Sequence, residues 1–127
     1  MDLRQEFFIN CVFLSDQIYS QGMDRKVLQT SGDPMGAAIY DYHRNGKADV
    51  LRVFSSQFEE DEIPIEDLFR EFENMPELEK LALELAEGDI LDVGAGSGCH
   101  SLALQKMGKP SVAIDISPLS VEVMKER

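Results

Sequence analysis

The chain has 127 residues, 43% hydrophobic and 28% charged, with no Trp and a mean hydropathy of -0.21, the composition of one globular domain. Twenty-four acids against twelve bases leave a formal charge of -12, which disfavours nucleic acid as a partner, because polyanion affinity is drawn from clustered Lys and Arg. The apolar runs are far shorter than the ~18 residues of a membrane span. The start Met1-Asp2-Leu3-Arg4 lacks the features of a secretory leader, so no membrane association and a cytoplasmic address are expected.

Leu3, Phe7, Phe8, Cys11, Leu14 and Ile18 form one helical stripe that stops near Gly22. A second helix is predicted from Asp33 as N-cap and Pro34 at the first helical position, with Met35, Ala38, Ile39 and Tyr42 on its apolar face and Asn45-Gly46 as its end. Residues 50–54 read equally as a short strand or an extended connector. Residues 59–89 carry thirteen acids against only Arg70 and Lys80, interleaved with apolar residues at three- and four-residue steps, including Ile63, Ile65, Leu68, Phe69, Leu78, Leu81 and Leu85. That pattern predicts amphipathic helices over residues 64–72 and 76–86 with a solvated acidic face, stopped at Gly88.

From residue 89 the periodicity changes. Residues 89–93 form an apolar run that reads as a buried strand, followed by glycines and a helix from about Gly98 to Gly108. Residues 111–115 give a second buried strand, and Ser117-Pro118 open another helix. Strand, glycine turn, helix, strand and helix make a β-α-β unit with a parallel pair. Cys11 and Cys99 have no metal-ligand spacing and read as reduced thiols, and no metal is expected. His43 and His100 read as structural.

The chemistry is concentrated in Asp92-Val93-Gly94-Ala95-Gly96-Ser97-Gly98 and in Asp115 at the end of the next strand. A strand that turns at once into a helix while a ligand lies on its backbone needs residues without Cβ and with free φ. Asp115 is placed to accept hydrogen bonds from vicinal ribose hydroxyls, and its charge argues against a 2′-phosphate. A dinucleotide fingerprint wants Gly-x-Gly-x-x-Gly, but its third position here is Cys99. Asp92 beside the loop would repel a pyrophosphate and attract a cationic amino-acid tail.

These residues resemble motif I and the next-strand acid of class I S-adenosylmethionine-dependent methyltransferases, and residues 90–127 are similar to the first β-α-β-α of that fold. The resemblance implies an α/β, Rossmann-like parallel sheet beginning at residue 89 after a helical cap region of residues 1–88. It implies S-adenosylmethionine as cofactor, lying on Gly94, Ala95, Gly96, Ser97 and Gly98. Asp92 would then reach the methionine end, Asp115 the ribose and Ile116 the adenine. Tyr42 and His43, on the second predicted helix, are candidates to close over cofactor or substrate. The fold has seven strands and the chain stops after the second, so an N-terminal portion of a methyltransferase for a small-molecule acceptor is expected, with the substrate-facing and catalytic residues beyond residue 127. An NAD-dependent oxidoreductase and a noncatalytic adenosyl-binding or interaction module are the alternatives.

Overall fold

The computed structural model describes residues 28–127 together with Asn10–Cys11. Its elements in chain order are β1 (Asn10–Cys11), α1 (Pro34–Asn45), β2 (Leu51–Val53), β3 (Asp61–Ile63), α2 (Glu77–Leu85), β4 (Ile90–Val93), α3 (Cys99–Lys106), β5 (Ser111–Ile114) and α4 (Pro118–Glu126). Short 3-10 turns lie at Thr30–Gly32, Ile65–Phe69 and Phe72–Asn74.

β4 and β5 pair in parallel, with Ile90 opposite Ser111 and Val93 opposite Ile114. A parallel pair needs a crossover, and α3 supplies it. β1 adds a third parallel strand on the other edge of β5, giving the order β1-β5-β4. The fold is α/β, with the start of a Rossmann-like sheet. β2 and β3 form a separate antiparallel hairpin, so residues 51–53 are a strand.

Local signals set the termini of α1. Asp33 caps it, accepting the Gly36 amide at 2.8 Å, and Gly46 closes it at φ 69° with its N–H on the Tyr42 carbonyl. Ser117 caps α4 through the Ser120 amide, with Pro118 behind it. α1 packs along α4, and Ile39 of α1 is fully buried, an event worth about 1.5–3 kcal/mol for such a side chain.

Three sequence expectations change. Cys11 lies in a strand rather than on a helical stripe, and the remainder of that predicted helix falls outside the described residues. Residues 64–72 form no α-helix but 3-10 turns broken by extended backbone at Arg70 and Glu71, and the Leu68 carbonyl accepts the Ser97 hydroxyl instead of continuing a ladder. α2 is a helix as predicted but presents another face. Leu83 is buried beside Met75, Ala103 and Leu104, whereas Leu78, Leu81 and Leu85 are exposed.

A second cluster, Ala95, Ala113, Val121 and Met124, lies where the glycine loop, β5 and α4 meet. β4 is less buried than its apolar run predicts: Leu91 and Val93 alternate outward at 57% and 70% exposure. The described part leaves that face of β4 uncovered. Among the described residues no helix is long and apolar enough to cross a membrane.

Candidate functional site

The loop of residues 94–98 leaves β4 and turns into α3. Gly94, Gly96 and Gly98 all sit in the left-handed region, at φ 70°, 57° and 81°, where a side chain is strained. Gly94 and Ala95 both donate their N–H to the Ile114 carbonyl, at 2.9 and 3.1 Å, which ties the loop to the end of β5. A Cβ on Gly94 would meet nothing within 4 Å, so the backbone is open there to an approaching ligand. Ala95, buried, points into the hydrophobic cluster instead.

The two aspartates are brought to this loop and held. Asp115 Oδ2 accepts the Gly96 N–H at 2.8 Å, and Oδ1 accepts the Ser117 N–H at 2.8 Å. A carboxylate oxygen has two acceptor positions, so both retain a lone pair for a ligand hydroxyl. Asp92 Oδ2 accepts the hydroxyl of fully buried Ser101 at 2.7 Å, which orients it from the first turn of α3. Ile116, next to Asp115, is 62% exposed. Ser97 is buried and turned the other way: its hydroxyl donates to the Leu68 carbonyl, and Arg127 donates to its carbonyl at 2.8 Å and its Oγ at 3.0 Å.

The two cap candidates are engaged elsewhere. Tyr42 packs on Phe69 with ring centroids 4.7 Å apart, and His43 Nε2 lies 2.9 Å from Glu126 Oε2 on α4. The α1 residue that reaches the loop is Ile39, whose Cδ1 would lie 3.6 Å from a Cβ on Gly96. His100 Nε2 lies 2.9 Å from Glu79 Oε2, and Arg70 binds the other oxygen of that carboxylate. The Arg70 bond first, then His100, holds Glu79 below the usual carboxylate range. Burial pushes the Cys99 thiol up, against the opposing pull of Arg70 and Arg127. Among the described residues no group of three or more His, Cys, Asp or Glu could hold a metal ion.

A cleft of about 370 Å³, lined among others by His43, Arg70, Glu71, Lys106 and Arg127, shares no residue with the loop or with Asp115. Its cations are committed to protein partners, Lys106 to Glu71 and Arg70 to Glu79. It adds nothing to the loop site.

Residues 73–127 match the family of ribosomal protein L11 methyltransferases. Over 80% of its length the chain is 66% identical to a SAM-dependent methyltransferase from Bacteroides fragilis, solved in complex with S-adenosyl-L-homocysteine, with a TM-score of 0.75. The chain is thus similar to S-adenosylmethionine-dependent methyltransferases. It spans 42% of the length of the Bacteroides methyltransferase. The structure brings the glycine loop and Asp115 into hydrogen-bond contact through the Gly96 N–H.

Local sequence signals identified Asp33 and Ser117 only as helix caps. In the structure these caps meet each other: Ser117 Oγ donates to Asp33 Oδ2 at 2.5 Å, across 84 residues of sequence, in a buried pocket. Ser101 carried no signal beyond its place on a helix.

Proposed function

We propose that this chain is the cofactor-binding portion of an S-adenosylmethionine-dependent methyltransferase, in which residues 94–98 carry the nucleoside, Asp115 holds the ribose hydroxyls, Ile116 borders the adenine and Asp92 faces the amino-acid end. The observation that carries the reading is the Asp115 carboxylate: it is fixed by one N–H on each oxygen, one of them from the glycine loop, and keeps an acceptor position on each for a vicinal diol. The loop fits the same ligand, since three left-handed glycines let its backbone be approached closely. Two carboxylates at one site suit a ligand that carries cationic groups and no phosphate.

When bound, S-adenosylmethionine supplies a methyl group already made electrophilic by its sulfonium. The residues of this chain bind and orient the donor, and none of the described residues is assigned as a proton acceptor. Orientation is itself a large contribution in such transfers, because reacting atoms held in line react with the entropy of encounter already removed. The acceptor we propose is a small molecule in the cytoplasm.

Calorimetric titration with S-adenosylhomocysteine and, separately, with NADH tests the cofactor. Saturable binding of the first and none of the second is expected, and the reverse order would sink the reading in favour of an oxidoreductase. Incubation of the full-length protein with S-adenosylmethionine labelled in its methyl group then tests the acceptor. Label is expected in a small-molecule pool. Label in ribosomal protein alone would refute the small-molecule acceptor and leave the transferase reading standing.

A further inference from the structure

We propose that Asp33, the N-cap of α1 and far from the glycine loop in sequence, is a positioning residue for the ribose site, acting through Ser117 on Asp115. The inference rests on the reading of Asp115 as the ribose anchor. Asp33 is 2% exposed, and both its oxygens are used: Oδ1 takes the Gly36 N–H and Oδ2 the Ser117 hydroxyl. Ser117, itself buried, has every polar group in service. Its hydroxyl proton goes to Asp33, its Oγ accepts the Ser120 N–H, and its own N–H goes to Asp115 Oδ1. Asp115 in turn holds the Gly96 N–H. One unbroken chain of hydrogen bonds therefore runs from the first turn of α1 to the middle of the glycine loop.

The arrangement has a geometric requirement that local structure does not explain. Gly36 lies where a Cβ would overlap both Ser117 Oγ and the Asp33 carboxylate, so a residue without a side chain stands where the two caps join. The capping role of Asp33 needs only Oδ1 and the Gly36 amide. Its second oxygen serves Ser117, so docking of α1 sets the orientation of the residue that supports the ribose anchor. Asp33 and Ser117 are both buried, and a polar group left unpaired there is costly, so the chain of bonds transmits this orientation.

Asp33→Asn separates the two roles. Asparagine caps helices as well as aspartate, so Gly36 keeps its acceptor, but an NH2 replaces the oxygen that faces the Ser117 hydroxyl. The measurement is the affinity of the full-length protein for S-adenosylhomocysteine and for its 2′,3′-dideoxy counterpart, in wild type, Asp33→Asn and Ser117→Ala. Wild type is expected to prefer the ribose form. Either substitution should cut that preference by about tenfold, the equivalent of one hydrogen bond, while the dideoxy ligand binds as before. A preference ratio unchanged in Asp33→Asn, whatever Ser117→Ala does, or an equal loss for both ligands, would overturn the positioning role while leaving the site reading intact. A wild type that binds S-adenosylhomocysteine without ribose preference would overturn Asp115 as the anchor, and the positioning role with it. The ratio is insensitive to the fraction of variant that folds.

Discussion

Gly36 packs against Ser117 so closely that any Cβ at position 36 would overlap the Ser117 hydroxyl. The two residues belong to the first turn of α1 and the cap of α4, and their contact is where α1 is seated on the half that carries the glycine loop. Gly36→Ala forces both caps apart. Overpacking of this kind costs about 1–3 kcal/mol, and a fall in the thermal midpoint of several degrees is expected by calorimetry. A midpoint within one degree of wild type would contradict the close seating.

Gly96 has its own constraint. At φ 57° a β-branched residue is strained by about 1–2 kcal/mol, and its methyl groups would project toward Ile39 on α1. Gly96→Val should therefore lower stability modestly and abolish S-adenosylhomocysteine binding, since the loop backbone can no longer be approached. Normal binding by the folded variant would reject the proposed pose.

Asp115→Ala removes the acceptor of the Gly96 and Ser117 amides together with the proposed ribose contacts. A binding loss of about 1–3 kcal/mol is expected by calorimetry. The Gly96 amide resonance should also move in the absence of ligand, because its partner is gone. Unchanged affinity would rule Asp115 out as the anchor.

Glu79 provides a pH test. The Arg70 bond, then His100, lowers its pKa in the folded state, so the cluster contributes stability that is present above the ordinary glutamate range and is lost as pH falls through the lowered folded value. Below about pH 4.3, the ordinary value, wild type should lose stability that Glu79→Gln has already lost, so the difference between them narrows in acid denaturation. A difference that stays constant from pH 6 to pH 3 would show that the pair adds nothing. Both side chains are partly exposed, at 21% and 30%, so the contribution is at most about 1 kcal/mol.

Cys99 sits where a dinucleotide fingerprint would have its third glycine, at the start of α3, and burial raises its pKa. In a Cys11→Ser background, alkylation by iodoacetamide at pH 8 should be markedly slower than for a free cysteine peptide, because the thiolate is the reactive form. A rate equal to that of the peptide would argue against the burial.

Much of α1 and of the half that carries the glycine loop was legible in the sequence because the signals there are local. Left-handed glycines, a cap followed by proline, and apolar runs bounded by glycine act over a few residues, and they placed α1, β4, α3, β5 and α4 to within a residue or two, with Asp92 and Asp115 at the loop. The acidic segment was less legible. Its apolar steps suit helices, but which side of α2 is buried depends on where Met75, Ala103 and Leu104 lie, and residues 65–69 gave up a helical ladder to a hydroxyl from residue 97.

Sequence by itself determined the β-α-β unit, its glycine turn and the acid after the second strand, since each follows from backbone conformations that few residue types permit. Only the tertiary structure decided what the caps are for. Asp33 and Ser117 each satisfy a nearby amide, as any cap does, and nothing local specifies that their remaining polar atoms meet across 84 residues. That meeting is set by the packing of α1 on α4, whose burial makes an unpaired hydroxyl or carboxylate costly and so joins the two caps into one network.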